Sequence, residues 1–291
     1  MIISDVMRSL PPSLKSKFYI DGHFAPIKIF SPSEAAQVYR DYEKYVAKVG
    51  VGGKLEGDCR FRVHLVAKWA HNIVTHPVLV SAVKTVLDSN NILCWSSDLC
   101  IKPAGSEGEF RWHQDSTYSG LEPSGRVVTA WVALTPSKAH TGCLSVVSES
   151  QAEQLPHLTE PGDEVNMLAH KQFISSSQLS LLPGERVRLE LEPGEASLHS
   201  WRSVHSSGPN TSDRERVGLA IRYMTDEVQN VKAVVRERAS LVCGSGGMFW
   251  DLETPPNKDY GEKEMKQHRE SLEKEKQNYF SGSTDETAQY K

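Results

Sequence analysis

The feature that most constrains the fold is a succession of short apolar segments, rich in β-branched and aromatic residues, that begins at Ile92. Breaks containing Gly, Pro or Ser separate these segments, as they separate the strands of all-β domains. The segments span residues 94–102, 110–112, 126–134, 143–147, 186–191, 196–200 and 216–223. Their number and spacing predict a sandwich or barrel, and the best match is a double-sheet jelly roll, also called a double-stranded β-helix.

Helical patterns flank this β-rich part, so the predicted fold class is mainly β with flanking helices (α+β). We expect residues 18–50 to be helical after a short strand. Within them, Ser31-Pro32-Ser33-Glu34 has the pattern of a capping box with proline at the first helical position. Residues 78–87 carry an apolar stripe at helical spacing, which predicts a second helix.

The C-terminal part differs in composition from the rest. Residues 262–278 are dense in Glu and Lys, with acidic–basic pairs three or four residues apart, which predicts a solvated helix. We therefore expect a single jelly-roll domain with N-terminal helices over residues 1–260, and a charged helix with a frayed tail over residues 261–291. Residues 150–180 are polar and irregular, which is typical of a lid or a binding loop.

Composition narrows the class of protein. Apolar residues make up 38% of the chain, which is enough for a sizeable core, and the net charge of −4 argues against a nucleic-acid groove. The five cysteines are an odd number without a CxxC pair, which favours a reduced intracellular compartment. We see neither a secretory signal nor an apolar run of the roughly 20 residues that a membrane helix needs. We expect a soluble, cytoplasmic protein with a small-molecule ligand; its oligomeric state stays open.

A candidate metal site lies in the His113-Gln-Asp115 motif. Both residues point to the same side of an extended chain, so both can reach one ion. Two histidines compete for a third position, and we favour His205, just before a Gly-Pro-Asn turn, over His199, which has more strand after it. Two imidazoles and one carboxylate occupy one face of an octahedral ferrous ion and leave three positions open. Arg216, at the start of the next strand, can then grip a carboxylate of a co-substrate.

Several segments together resemble a known family. HQDSTYSGL, VTAWVALTPS, GCLSVV, LEPGEASLH and VHSSGPNTSDRERVGLAIRY are similar to the phytanoyl-CoA dioxygenase family of iron(II)/2-oxoglutarate oxygenases, over roughly residues 92–225. The resemblance implies a jelly-roll enzyme that uses Fe(II), with 2-oxoglutarate and O2 as co-substrates. His113, Asp115 and His205 would be the iron ligands, and Arg216 would bind the distal carboxylate of 2-oxoglutarate.

The resemblance also suggests further residues that bind the co-substrate. Ser207 matches the position of a hydroxyl partner for the distal carboxylate, and Trp131 matches a tryptophan that lines the pocket. Thr129 shares the inward face of its strand with Trp131 and is a further candidate. Lys102 either contributes positive charge to the pocket or is a solvated lysine.

The substrate is less constrained than the co-substrate. Relatives that halogenate carry a small residue in place of the carboxylate, so Asp115 implies hydroxylation. Many relatives follow GCLSVV with Pro-Gly-Ser-His, whereas this chain has Ser148-Glu149-Ser150-Gln151, which puts the substrate in doubt. Tyr118, Asn166 and Gln172 are candidate substrate contacts or ordinary loop residues.

Three classes of function stay open at this point. HQDSTYSGL and the segment around Asn166 resemble the branch with small organophosphonate hydroxylases, which suggests a compact polar substrate such as 2-aminoethylphosphonate. The main alternative is hydroxylation of an acyl-CoA, a lipid or a secondary metabolite. More distant alternatives are a non-catalytic jelly-roll binding protein and a zinc hydrolase, since two histidines and a carboxylate also hold zinc with an open position.

Overall fold

A computed structural model describes residues 10–279. The strands are β1 (His23–Lys28), β2 (Ile92–Lys102), β3 (Phe110–His113), β4 (Leu121–Glu122), β5 (Val127–Ala133), β6 (Leu144–Val147), β7 (Leu158–Thr159), β8 (Gln172–Phe173), β9 (Arg186–Leu189), β10 (Glu195–Ser200), β11 (His205–Ser207), β12 (Arg216–Thr225), β13 (Gln229–Asn230), β14 (Arg238–Cys243) and β15 (Asp251–Glu253). The helices are α1 (Leu14–Asp21), α2 (Pro32–Val49), α3 (Lys68–Val74), α4 (Pro77–Leu87), α5 (Ser116–Ser119), α6 (Ser176–Leu179) and α7 (Glu262–Tyr279).

Two sheets form the centre of the molecule. The larger has seven strands in the order β1-β10-β5-β12-β2-β14-β15, and the smaller has four in the order β3-β11-β6-β9. Sequence-distant strands are neighbours in both sheets, and the strands pair antiparallel except for β14 with β15. Residues of both sheets line one internal cavity, so the sheets face each other. The predicted jelly roll with flanking helices is confirmed.

The alternation of side chains on β5 shows how the large sheet separates core from site. Val128, Ala130 and Val132 point to one face and pack into an apolar cluster with residues of α1–α4. Thr129 and Trp131 point to the opposite face, toward the small sheet and the cavity. All seven residues of β5 are buried, because helices cover one face of the sheet and the second sheet covers the other. The helices therefore back the sheet, and its other face holds the site.

The N-terminal region corrects one sequence prediction. The capping box is confirmed: the Ser31 hydroxyl accepts from the Glu34 amide at 3.3 Å, and α2 follows. The expected helix over residues 18–50 is wrong between Gly22 and Ser31, because α1 ends at Asp21 and the edge strand β1 then pairs with β10. That pairing is a tertiary contact with no local sequence signal. The predicted second helix is confirmed as α4.

Three other regions were incompletely predicted. The polar stretch 150–180 contains the short β7–β8 hairpin and the single turn α6, so it is not irregular throughout. Helix α3 and strands β14 and β15 had no counterpart in the sequence prediction.

Within residues 10–279, no helix combines the length and apolar character needed to cross a bilayer.

The C-terminal helix α7 is solvated on only one side. Its other side is buried against the domain through Glu264, His268, Ser271, Leu272, Glu275 and Asn278. The prediction of a solvated helix is therefore wrong for this face, because charged residues on it are paired inside the protein rather than with water. The expected frayed segment 281–291 lies outside the described residues.

Candidate metal centre and adjoining cavities

The candidate metal ligands come together where the small sheet ends. His113 closes β3 and lies directly opposite His205 on β11 in the antiparallel register, with the ring centroids 4.1 Å apart. Asp115 follows at the start of α5. One ligand atom from each of the three residues lies within 4.8 Å of the others, and both histidines are buried. The structure thus brings together the three residues that the sequence motif singled out.

Backbone carbonyls orient both imidazoles. The Nδ1 atom of His113 lies 2.7 Å from the carbonyl oxygen of Arg111, and the Nδ1 atom of His205 lies 2.9 Å from that of Ser203. Since a carbonyl only accepts, each Nδ1 carries the proton, and each Nε2 keeps its lone pair for a metal. The Asp115 Oδ1 atom lies 3.6 Å from Nε2 of His113 and 3.7 Å from Nε2 of His205. The donor set is ready for one ion.

The protonation of this cluster fits a divalent cation. Burial alone raises the pKa of Asp115, but the neighbouring imidazoles of His205, His113 and His199 hold it well below its usual range. Burial, together with His113, lowers the pKa of His205 well below its ordinary value. A carboxylate with two neutral imidazoles and no thiolate suits Fe(II) better than a closed structural zinc site. Iron therefore fits the residues that are present.

A cavity of about 100 Å³ leads from this centre between the two sheets. We name it the co-substrate cavity; its lining residues are Cys100, Phe110, His113, Asp115, Thr129, Trp131, Leu144, Leu168, His199, His205, Ser207, Arg216, Ala220 and Arg222. The metal ligands and Arg216 both belong to this lining. A molecule in the cavity can thus contact an ion and a guanidinium together.

Arg216 is a buried cation without a carboxylate partner. Its side chain is 2% exposed, and its Nη1 atom donates to the carbonyl of Gly142 at 3.0 Å and to the hydroxyl of Ser207 at 3.4 Å. Its Nε atom has no partner, and no carboxylate among residues 10–279 lies within ion-pair distance of the guanidinium. Burial lowers the pKa of Arg216 accordingly. An uncompensated buried charge is costly, so this one fits an anionic ligand.

Three other predicted co-substrate residues also line this cavity. The Arg216 guanidinium lies over the Trp131 ring at 5.1 Å, and the Ser207 hydroxyl donates to the Gly142 carbonyl at 2.7 Å. The Thr129 hydroxyl instead donates to Asp115 Oδ2 at 3.0 Å, so Thr129 contacts the carboxylate of the metal cluster.

Lys102 does not line the co-substrate cavity. It is fully buried, so the solvated alternative is wrong, and its ammonium donates to the carbonyls of Ser207, at 2.8 Å, and Gly208. Burial and then the charge of Arg216 lower the pKa of Lys102 to about 7. Lys102 therefore holds the turn after His205 rather than pointing its charge into the cavity.

A second cavity, of about 170 Å³, is also lined by His113 and Asp115. We name it the outer cavity; its lining residues are Arg60, Phe61, Trp95, Ser96, Asp98, Leu99, Cys100, Ile101, Phe110, His113, Asp115, Ser119, Met167, Leu168, Ala169, Gln172, Trp201, Arg222 and Glu275. Most of its lining residues do not line the co-substrate cavity, so it provides a separate space next to the same two ligands.

The three predicted substrate residues fare differently. Gln172 lines the outer cavity. Asn166 does not: it is fully buried, its amide donates to the carbonyl of Gln172 at 3.1 Å, and its oxygen accepts from the amide of Leu168 at 3.1 Å. It fixes the loop instead. Tyr118 lies on α5, and its side chain is not among the described parts of the structure.

The sequence interpretation missed the charged wall of the outer cavity. Arg222 pairs with Asp98, and Glu275 reaches the cavity from α7. Glu275 accepts from Nε of Arg62 at 2.5 Å, and Arg62 also binds Glu253 at 2.9 Å. One signal was present, since Arg222 shares a strand face with Arg216, six residues earlier.

A jelly roll with two histidines and one carboxylate at the mouth of a cavity, and a buried arginine lining that cavity, has the architecture of the non-haem iron oxygenases. The chain belongs to the phytanoyl-CoA dioxygenase (PhyH) family, whose model matches residues 25–218.

Relatives and solved structures agree with this assignment. The chain is 27% identical over 156 residues to the mouse protein "Phytanoyl-CoA dioxygenase domain-containing protein 1". The matched stretch covers 52% of this chain and 51% of the mouse protein. It is 25% identical over 174 residues to a probable phytanoyl-CoA dioxygenase of Caenorhabditis elegans, covering 56% of this chain and 54% of that one. The matches thus span about half the length of these curated relatives.

Among solved structures, the apo form of the non-heme monooxygenase ThoJ has a TM-score of 0.80 at 28% identity, over 92% of this chain and 98% of that one. CytC3 with Fe(II) and alpha-ketoglutarate has a TM-score of 0.63 at 21% identity, over 87% of this chain and 96% of that one, and shows the fold.

Proposed function

We propose that this protein is an Fe(II)/2-oxoglutarate-dependent dioxygenase that hydroxylates a small polar organic substrate, with release of succinate and CO2. His113, Asp115 and His205 would hold the iron. The observation that carries the proposal is Arg216, a buried guanidinium without a carboxylate partner in the same cavity as the His-Asp-His cluster. A non-catalytic jelly roll or a zinc hydrolase gives no reason for this charge.

The co-substrate cavity accounts for the two ends of 2-oxoglutarate. Arg216 and the Ser207 hydroxyl would bind the distal carboxylate, with Trp131 packed against the guanidinium. The 2-oxo acid end would then lie at the metal cluster. When bound, iron(II) and 2-oxoglutarate activate dioxygen for insertion of a hydroxyl group, and the protein supplies orientation and excludes water. With Asp115 as the third protein ligand, 2-oxoglutarate and dioxygen would take the three remaining metal positions. No position would be left for a halide, which favours hydroxylation over halogenation.

The outer cavity supports a small, polar substrate. Its volume of about 170 Å³ and its wall of Asp98, Arg222 and Glu275 suit a compact molecule with charged groups. A zwitterion such as 2-aminoethylphosphonate is our first candidate, ahead of an acyl-CoA, a lipid or a secondary metabolite. We further propose a cytoplasmic location, because all five cysteines are free thiols.

The direct test is an anaerobic titration with Fe(II) and then 2-oxoglutarate, followed by a substrate screen. We expect both to bind, and we expect 2-aminoethylphosphonate to stimulate oxygen-dependent succinate formation more than ethylphosphonate or ethylamine. Stimulation by an acyl-CoA alone would overturn the small-substrate proposal. Oxygen-independent hydrolysis with zinc would overturn the oxygenase itself.

Arg216→Ala tests the binding of the co-substrate. We expect it to weaken 2-oxoglutarate binding by about 10- to 100-fold, since a charge-assisted hydrogen bond contributes about 1.5–3 kcal/mol. The measurement is the dissociation constant at saturating Fe(II) without oxygen. Arg236→Ala is the matched control, because Arg236 is 51% exposed and pairs with Asp251. An unchanged constant for Arg216→Ala would remove this role.

A further inference from the structure

His199 is a buried histidine to which the proposed function gives no role. It lies on β10, is 2% exposed, and has no hydrogen-bond partner at either ring nitrogen among the described residues. Its ring centroid is 4.6 Å from that of His205, and it lines the co-substrate cavity. Buried polar groups are nearly always hydrogen-bonded, so an imidazole kept in this state needs an explanation.

The carboxylate of Asp115 presents its two oxygens to two different sets of neighbours. Oδ1 faces Nε2 of His113 and Nε2 of His205, at 3.6 and 3.7 Å. Oδ2 faces the Thr129 hydroxyl, at 3.0 Å, and Nε2 of His199, at 3.8 Å. An ion shared with both imidazoles therefore lies on the Oδ1 side, and Oδ2 is left to the other pair.

The sheet register explains why Thr129 and His199 act on the same oxygen. The two residues are direct cross-strand partners in the β5–β10 pair, so their side chains leave the same face of the large sheet side by side. Asp115, at the start of α5 and two residues after the end of β3, meets them across the cavity. This juxtaposition also separates His199 from the ligand set, because its Nε2 approaches Oδ2 and not the oxygen that faces the other imidazoles.

We propose that His199 is a positioning residue: its Nε2 group, 3.8 Å from Oδ2 of Asp115, and the Thr129 hydroxyl, which donates to the same oxygen at 3.0 Å, together keep this carboxylate a one-oxygen metal ligand. The proposal rests on the proposed ligand set. Its consequence is geometric: a carboxylate free to rotate can bind through both oxygens and fill a position that the co-substrate or oxygen needs. With Oδ2 occupied by the Thr129 hydroxyl and facing His199, three metal positions would stay open.

The test uses the full-length protein with Co(II) as a spectroscopic probe and anaerobic Fe(II) for affinity. We expect His199→Ala to weaken Fe(II) binding by about 10- to 100-fold, as is typical when the hydrogen-bond partner of a metal ligand is removed, and to change the Co(II) ligand-field spectrum. Thr129→Val should change both in the same direction. His199→Gln should restore part of the affinity, because its amide can still donate. Exposed His140→Ala is the control and should match the wild type.

Three outcomes would overturn the proposal. Unchanged Fe(II) affinity and Co(II) spectrum in both His199→Ala and Thr129→Val would show that neither holds Asp115. Unchanged metal binding with weakened 2-oxoglutarate binding would show that His199 contacts the co-substrate. Loss of metal binding in His199→Ala, but not in His205→Ala, would make His199 the ligand. Asp115→Ala separates these from a wrong ligand set, since full metal affinity in that variant would refute the proposed site itself.

Discussion

At the scale of single residues, Gly218 fixes the position of the indole that lies against Arg216. A Cβ atom at Gly218 would lie 2.0 Å from Cζ2 of Trp131, far closer than any van der Waals contact. Cys100 and Ala220, which belong to the same apolar cluster as Trp131, are also small. The ring can therefore lie flat over the strand with the guanidinium 5.1 Å away. This glycine is required by space and not by backbone conformation.

Gly218→Ala should therefore displace Trp131. We expect a loss of about 1–3 kcal/mol in the free energy of unfolding, as overpacking in a tight core produces, and weaker 2-oxoglutarate binding. Urea denaturation and the anaerobic binding titration measure the two effects. Gly125→Ala is the matched control, because a Cβ at Gly125 meets nothing within 4 Å. Equal stability of the two variants would show that the indole has another position available.

The sequence predicted part of the site at this scale. The His-x-Asp spacing, the turn after His205 and the strand alternation identify groups that the structure does bring together. Their individual roles stay predictions. The contacts of Lys102 could not be predicted, since they depend on carbonyls about a hundred residues away that only tertiary folding brings close. Asn166 contacts its own loop, at the carbonyl of Gln172, and the polar sequence of that loop gave no sign of this turn. The neighbourhood of His199 likewise depends on strand register.

At the scale of elements, local sequence signals predicted where helices begin and which strand residues are buried. They did not predict which strands pair with each other. The capping box marks the start of α2 because the first backbone amides of a helix have no acceptor within the helix. The side chains of Ser31 and Glu34 accept from two of these amides. Strands β2, β5 and β12 could be predicted from the sequence, because long strands that are buried on both faces give nearly continuous apolar runs. The N-terminal strand was predicted only as a short strand without bounds, since the pairing of β1 with β10 is the reason that it is extended.

The capping box gives a prediction for α2. Ser31→Ala removes the hydroxyl that accepts from the Glu34 amide, so we expect a loss of about 1 kcal/mol in the free energy of unfolding. Ser81→Ala, inside α4 and away from any helix end, is the control and should leave stability nearly unchanged. Thermal denaturation of the two variants provides the measurement. If Ser31→Ala left the stability unchanged, packing alone would fix the start of α2.

At the scale of the whole molecule, α7 is joined to the domain by a buried charge cluster. One guanidinium, that of Arg62, lies between the carboxylates of Glu253 and Glu275, and all three side chains are at most 4% exposed. Burial raises the pKa of Glu275 to about 7, with Arg62 only partly opposing and Asp98 adding to the rise. Burial also acts on Glu253, but Arg62 and His64 lower its pKa to about 2.

These shifts predict how stability depends on pH. The raised pKa of Glu275 means that the folded protein holds a proton that the unfolded chain, with a pKa of about 4.3, has lost. This contribution is complete below about pH 4 and disappears as the pH rises through about 7. Glu275→Gln should flatten the stability curve in that window, whereas exposed Glu273→Gln should keep the slope of the wild type. The measurement is the free energy of unfolding from urea denaturation between pH 4 and pH 8. If Glu275→Gln kept the pH dependence of the wild type, Glu275 would not be the group responsible for it.

The arrangement of α7 could not be predicted from its charge pattern. Alternating Glu and Lys residues indicate a solvated helix, yet Arg62, the ion-pair partner of Glu275, lies 213 positions earlier in the chain. The family match ends at residue 218, before Arg222, Glu253 and all of α7. The division into a domain over residues 1–260 and an appended segment over residues 261–291 stays a prediction.

The two cavities also bear on how such an enzyme could change its substrate. They share only Cys100, Phe110, His113, Asp115, Leu168 and Arg222, so most of the wall of the outer cavity lies outside the co-substrate cavity. Under the proposed function, mutations at Glu275 or Gln172 would alter substrate recognition without changing a residue that lines the co-substrate cavity. A lineage with this layout can diversify its chemistry from the C-terminal helix inward, and a protein engineer can begin there as well.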